Sequence, residues 1–293
     1  MPELPDLTVY QECMQRQFAG QRLQGMQLLH PFLLRTAAPA AAEFHGRKLS
    51  GVGRLGKRLL LHFDGGLIAA IHLMRLGRLH CKPVAAKPGM ALLVLAFESA
   101  SLHLSEAGKQ RSAALHLLSD GDALRQLDRG GLEPMEASLQ QFAAALCAEN
   151  HTLKRALTDP RVLAGIGNAY SDEILHHARL SPFQQTAKLD PEQMQRLYES
   201  CRAVLAQWTR RLRAEAAEGW PNKVTAFRPE MAVHGKYRAP CPACGAPVQR
   251  LVYASSEANY CARCQTGGRV LADRALSRLL KANWPRRIED LEG

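Results

Sequence analysis

Two groups of residues have the types and spacing to do chemistry. The first is the start of the chain, Met1-Pro2-Glu3-Leu4-Pro5-Asp6. Removal of Met1 would leave the ring nitrogen of Pro2 as a secondary amine. An α-amino group titrates at roughly 7.7 to 8.0, so a useful fraction is unprotonated near neutral pH. Such a nitrogen can attack an electrophilic sugar carbon or a carbonyl and form an iminium ion, the covalent logic of a Schiff-base lysine. Glu3 stands beside it as a group that can supply or accept the protons of that step. Many chains begin Met-Pro and make no use of it, so the rest of the sequence has to support the reading.

The second group is Cys241-Pro-Ala-Cys244 and Cys261-Ala-Arg-Cys264, two Cys-x-x-Cys pairs separated by sixteen residues. Each pair suits a turn that aims two thiolates at one ion, and four thiolates complete a tetrahedral zinc site of the structural kind. Rubredoxin-like iron is the alternative metal. Between the pairs, Val248 to Tyr253 and Ala258 to Tyr260 read as a hairpin, with Arg250 and Arg263 as candidate phosphate contacts. The other cysteines, Cys13, Cys81, Cys147 and Cys201, are scattered through apolar patterns and read as reduced core residues.

A third, weaker signal is Lys154, Thr158, Asp159-Pro160 and then Gly165-Ile166-Gly167-Asn168, which reads as helix, turn, helix. Two glycines let the backbone turn tightly and approach a partner. Free N–H groups at the start of the following helix favour an anion, and Lys154 could add a charge.

The surrounding chain has to position these groups. Its 293 residues suffice for two or three domains, and 46% hydrophobic with 22% charged residues is a globular composition. No stretch approaches the roughly 20 apolar residues of a membrane span, and no basic segment precedes an apolar run at the N-terminus, so the chain reads as soluble and cytoplasmic. A formal charge of +11 points to a polyanionic partner.

Asp6 to Phe18 reads as a helix with Asp6 as a candidate cap. From Arg22 to Leu118 the pattern is that of strands, among them Arg58 to Phe63 and Leu67 to Leu73 around the turn Asp64-Gly65-Gly66. Ala91 to Phe97, Leu102 to Ser105 and Ala113 to Leu118 repeat the short apolar runs, as expected of a β-sandwich or barrel. Arg129-Gly130-Gly131-Leu132-Glu133-Pro134 reads as a linker, and helices dominate beyond it. Asp190-Pro191-Glu192 starts a long helix whose stripe runs Met194, Leu197, Cys201, Val204, Leu205, Trp208, Leu212. Gly219 to Pro229 reads as a long loop.

Taken in this order, the motifs resemble the formamidopyrimidine-DNA glycosylase and endonuclease VIII family of base-excision repair enzymes. The likeness rests on Met-Pro-Glu-Leu-Pro, Gly56-Lys57-Arg58, His72-Leu73 with Gly77-Arg78-Leu79, Leu132-Glu133-Pro134, Gly165 to Glu173, and Tyr260-Cys261-Ala262-Arg263-Cys264-Gln265. It implies an α+β protein: an N-terminal β-sandwich catalytic domain with its N-terminal helix at 1–128, a helix-two-turn-helix domain at 129–228, a zinc finger at 229–268 and an extension at 269–293. It further implies a monomer that binds double-stranded DNA carrying damaged bases or abasic sites, in a cleft between two lobes, with one structural zinc on Cys241, Cys244, Cys261 and Cys264. By the same resemblance Pro2 is the nucleophile on C1′ of the everted nucleoside and Glu3 the proton donor. Lys57 is a phosphate contact and proton donor for β-elimination, and Lys154 and Asn168 are phosphate contacts. The loop Gly219 to Pro229 would help to set which oxidised base is accepted.

The chain departs from the family pattern in several places. Asp6 replaces the usual Glu. Arg75 stands at the void-filling methionine, with Met74 one position earlier. No Arg-Phe wedge occurs in Glu106 to Ala113, which leaves Lys109 or Arg111 as substitutes. The finger arginine aligns near Ser255, with Arg250 or Asn259 as candidate replacements. Val270, Leu271, Leu276, Leu279 and Leu280 suggest a packed helix in the extension. These departures keep two alternatives open: a lesion- or abasic-site-binding protein with weak or no glycosylase activity, and a zinc-ribbon nucleic-acid binder in which Pro2 is incidental.

Overall fold

Alternating apolar side chains between Leu23 and Leu118 build two antiparallel sheets that share one core. In the computed structural model, which describes residues 1–108, 110–217, 219–221, 224–225, 227–253, 256–272 and 286–291, the strands are β1 (Leu23–Leu28), β2 (Leu49–Leu55), β3 (Arg58–Phe63), β4 (Ile68–His72), β5 (Gly77–Lys82), β6 (Ala91–Phe97), β7 (Ser101–Glu106) and β8 (Ala114–Leu118). One sheet has the order β1-β6-β7-β5 and the other β2-β3-β4-β8. Leu59, Leu61 and Phe63 of β3 point to the same side as Ala69 and Ile71 of β4 and Leu115 and Leu117 of β8. They join Leu93, Leu95 and Phe97 of β6 and Leu102 and Leu104 of β7 in the core. Period-two alternation of this kind fixes register, because a one-residue slip would expose the whole set.

Helix α1 (Leu4–Phe18) lays Leu7, Tyr10, Met14 and Phe18 on that core, with the Phe18 ring 4.6 Å from Phe97. Its cap corrects the sequence reading. Glu3, not Asp6, is the N-cap residue. Asp6 lies three positions in, where Oδ2 accepts the Glu3 backbone N–H at 3.0 Å. Pro5 fits inside the first turn because no helical acceptor awaits an N–H there.

Contacts divide the described chain into two units, Met1–Arg129 with Gln207–Thr225, and Gly130–Ala206 with Ala226–Gly293. The sequence pattern alone places 207–225 with the helical domain. The end of the long helix joins the first unit because Leu212 and Ala216 pack on Val9 and Cys13, and Trp220 Nε1 donates to Leu79 O at 2.8 Å. A short helix α2 (Gly121–Arg125), capped by Asp120, also belongs to this unit.

The second unit holds α3 (Leu139–Cys147), α4 (Leu153–Thr158), α5 (Asn168–His177) and most of α6 (Pro191–Ala216). Asp190 caps α6 as its sequence suggests, accepting from Gln193 N at 2.7 Å. Along the stripe Leu197, Cys201, Val204, Leu205, Trp208 and Leu212 are buried and Met194 is half-buried. The finger is the hairpin β9 (Val248–Tyr253) and β10 (Ser256–Cys261), followed by α7 (Ala262–Thr266). Leu271 and Ile288 pack on it, and Leu271 N donates to the Tyr260 hydroxyl at 2.7 Å. The expected tail residues Leu276, Leu279 and Leu280 lie outside the described residues, as do Lys109 and Ser255. The fold is thus α+β: a β-sandwich, a helical region and a cysteine-bearing hairpin. No described helix is long and apolar enough to cross a membrane.

Candidate active site and metal centre

The first unit holds the N-terminal group. Pro2 is buried, and Glu3 is 2% exposed. Burial pushes the amine of Met1 below its ordinary value; Arg78 and Lys57 act in the same direction, while Glu3 and Asp6 oppose them. These influences also place Lys57 and Arg78 within electrostatic reach of the chain start. Lys57 is held there by the two-residue turn between β2 and β3, where Gly56 has φ +56°.

A second turn follows β4. Met74 has φ +51°, and its N–H donates to His72 Nδ1 at 3.1 Å. Gly77 N then closes the turn on Leu73 O at 2.9 Å. A side chain at position 77 would place its Cβ 2.2 Å from that carbonyl oxygen, so only glycine fits. The turn leaves Met74 half-buried and Arg75 exposed. Burial first, then Arg58, Lys57 and His116, push His72 down to about 4.

Arg111 is exposed on the loop between β7 and β8. Glu106 ties that loop: its carboxylate accepts from Ser112 Oγ at 2.6 Å, Ser112 N at 2.8 Å and Ala113 N at 3.0 Å. Burial opposes ionisation of Glu106, but these donors outweigh it and hold the carboxyl below its ordinary range. Sequence reasoning missed Glu106, whose partners lie six and seven residues away in an irregular segment.

In the second unit Asn168 opens α5, with Gly167 as the N-cap, and is half-buried. Lys154 is not directed outward. Its ammonium meets Asn168 O at 2.7 Å, Ser171 Oγ at 2.8 Å and Asp172 Oδ1 at 2.5 Å. Three donors and three acceptors satisfy the group within the fold, so Lys154 fixes the start of α5. Asp172 Oδ2 meets His234 Nδ1 at 2.7 Å. The neighbouring Glu173 accepts the backbone N–H groups of Ala232, Val233 and His234 at 2.7, 2.9 and 2.9 Å. Burial pushes Glu173 up, against those three bonds.

Asn259, expected as a phosphate contact, is corrected by its environment. It is 1% exposed, and its amide faces Glu257 Oε1 at 3.2 Å and Asp172 Oδ2 at 3.5 Å. It belongs to the interior of the unit. Arg250, its partner across the hairpin, is exposed, lies over the Tyr237 ring at 4.5 Å and is 3.9 Å from Glu257.

The four cysteines converge. Their Sγ atoms all lie within 4.8 Å of one another, with Cys241 to Cys264 at 3.9 Å and Cys244 to Cys261 at 3.4 Å. A tetrahedron with zinc–sulfur bonds of about 2.3 Å has edges of about 3.8 Å, whereas a disulfide needs about 2.05 Å. The quartet therefore fits one metal ion, and the paired turns that carry it match the sequence expectation.

Sequence comparison agrees with this arrangement. Residues 1–115 match the formamidopyrimidine-DNA glycosylase N-terminal domain, 131–213 the H2TH domain of the same enzymes, and 239–267 the zinc finger found in FPG and IleRS. The chain is similar to the formamidopyrimidine-DNA glycosylase of Thermus thermophilus, 34% identical over 276 residues that span 92% of this chain and 100% of the relative. Its fold is similar to the crystal structure of the MutM (Fpg) protein from the same organism, with a TM-score of 0.76 at 30% identity over 90% of this chain and 98% of that one. It is also similar in fold to the Lactococcus lactis formamidopyrimidine-DNA glycosylase bound to DNA containing an AP site, with a TM-score of 0.78 at 22% identity over 90% and 99% of the two chains. The finger motif and the quartet together make this a site for one structural zinc ion. With all three of its domains matched in order, the chain belongs to the formamidopyrimidine-DNA glycosylase family.

Proposed function

We propose that the protein is a base-excision repair DNA glycosylase that also acts as an AP lyase on double-stranded DNA with oxidised bases or abasic sites. The observation that carries this is the buried Pro2-Glu3 pair at the chain start, in a chain matched to the family over its three domains.

Once Met1 is removed, the Pro2 nitrogen attacks C1′ of the everted nucleoside and the base departs with its bonding electrons. Glu3, at 2% exposure, is placed to protonate the leaving side. Ring opening gives an iminium, whose C2′ proton is acidic. Loss of that proton expels the 3′ phosphate in a β-elimination, with or without a δ-elimination that expels the 5′ phosphate, and hydrolysis returns the amine. Lys57, in the turn near the chain start, contacts a backbone phosphate and donates a proton in the elimination. Asn168 at the start of α5 and Arg250 on β9 contact other phosphates. Arg111, with Met74 or Arg75, occupies the gap left by the everted base. The expected boundaries at 128, 228 and 268 stand as proposed limits of the functional domains. A monomer working on the chromosome in the bacterial cytosol or nucleoid fits a net charge of +11.

One observation favours the weaker-activity alternative: Glu257 sits 3.9 Å from Arg250 and puts an acid beside a proposed phosphate contact. Borohydride trapping on abasic-site DNA tests the two readings. A covalent adduct that disappears in Pro2→Gly is expected, together with release of oxidised bases. Binding without an adduct would sink the enzymatic reading and leave lesion binding. Glu3→Gln should slow base release by roughly 10²- to 10⁴-fold while trapping on preformed abasic sites persists, since no base remains to be protonated.

A further inference from the structure

Helix α5 carries adjacent histidines that face different neighbours. His177 Nδ1 is 2.8 Å from Ser200 Oγ on α6, a contact among helices. His176 Nε2 is instead 3.3 Å from Sγ of Cys241, one of the four metal ligands. A zinc-bound cysteine is a thiolate: it has lone pairs and no proton, so it can only accept. The proton between these two atoms must then belong to the imidazole, which fixes the tautomer as Nε2–H.

We propose that His176 is an outer-sphere partner of the zinc site, donating its Nε2–H to the Cys241 thiolate and thereby holding the metal and tying it to α5. Groups that hydrogen-bond to metal ligands change metal affinity by roughly 10- to 100-fold. The thiolate set carries four negative charges against two on the ion, so a donor aimed at one sulfur offsets charge that the metal leaves uncompensated.

The geometry of α5 supports a fastening role. Residues 172, 173 and 176 fall on one side of a helix, and all three bond to the segment leading into the first cysteine pair. Asp172 meets His234, Glu173 meets the backbone of 232–234, and His176 meets Cys241. The first two contacts do not involve the ion. The third does, so it is the one through which occupancy of the metal site reaches the helix that Asn168 begins. Four sulfurs already complete a tetrahedron, which makes the imidazole a neighbour of the ligand set and not a member of it.

The experiment uses the full-length zinc-loaded protein, His176→Gln, which keeps an N–H donor, and His176→Phe, which keeps a ring and loses the donor. Zinc transfer to a chromogenic chelator should be about tenfold faster in His176→Phe and within about threefold of the parent in His176→Gln. In the cobalt-substituted proteins, the thiolate-to-metal charge-transfer band should move to lower energy in His176→Phe alone. In the parent, nitrogen NMR should show the Nε2–H tautomer, a readout that stands even if His176→Phe fails to fold. Unchanged zinc release and an unmoved band in His176→Phe would overturn the proposal. So would an Nδ1–H tautomer, or an Nε2 bonded to metal. A parent that binds no zinc would strike the metal assignment itself and this inference with it.

Discussion

The Nζ of Lys154 lies 2.5 Å from Oδ1 of Asp172, with the two side chains 12% and 1% exposed. The pair is therefore a buried ion pair whose removal has an asymmetric cost: losing one member strands the other charge in the interior. Lys154→Met should destabilise the second unit by about 3 kcal/mol, measured as a shift in urea midpoint. Adding Asp172→Asn should recover more than half of that, because an amide can still serve His234 without a charge. Equal destabilisation in the single and double variants would show that the charge is not what makes the contact costly to break.

The second prediction concerns acid. His72 is pushed down to about 4 from an ordinary 6.5, chiefly by burial. Between those values the unfolded chain binds a proton there that the folded chain does not, so stability rises with pH across the window and is lost as pH falls from 6.5 toward 4. The whole effect is up to roughly 3 kcal/mol. His72→Asn keeps an acceptor for the Met74 N–H and removes the titration. Relative to the parent, it should gain stability as pH falls through this window. Parallel stability curves for the two proteins would count against the assignment.

Gly77 gives a third. Gly77→Ala would drive a Cβ to 2.2 Å from Leu73 O, which forces the turn open at a cost of about 2 kcal/mol or more. Gly25→Ala in β1 is the control, since a Cβ there meets nothing within 4 Å and φ is ordinary. The control should lie within about 0.5 kcal/mol of the parent. Thermal unfolding of both variants would decide, and a mild Gly77→Ala would mean that the turn is more yielding than its geometry implies.

Zinc removal is the fourth. Burial pushes Cys264 up to about 11 and raises Cys261 as well, so chelation at neutral pH should leave both as thiols and take up protons. Loss of the ion should abolish DNA binding and the near-ultraviolet signal of Tyr260, which is buried against the quartet in the finger core. Amide exchange in β3 and β4 should not change. Undiminished DNA affinity after chelation would contradict a supporting role for the finger.

Much of this architecture can be read from local pattern. The Asp64-Gly65-Gly66 hairpin, the Asp190 cap and the paired Cys-x-x-Cys turns each depend on residues close in sequence, and each forms as expected. Strands β1, β2 and β5 are harder to see, because they mix polar residues and glycines with a few buried positions. The least legible features join distant residues. Nothing local reveals that Asn259 is drawn inward to Asp172, 87 positions away, or that Lys154 turns to Asp172 instead of outward. The cap of α1 is hard to read for a different reason: Asp6 has the side chain favoured at a cap, but the helix already begins at Leu4, so Glu3 takes the cap position and Asp6 the third helical one.

The clasp that Glu173 makes on residues 232–234 uses main-chain N–H groups alone. A carboxylate gripping peptide groups is indifferent to what those residues carry, so mutational drift in Ala232 and Val233 should be tolerated as far as packing allows. Proline is the exception, since it has no hydrogen to offer. Alleles with proline at 232 or 233 should therefore be purged while bulkier or smaller replacements survive, a pattern that deep mutational scanning of this stretch would display.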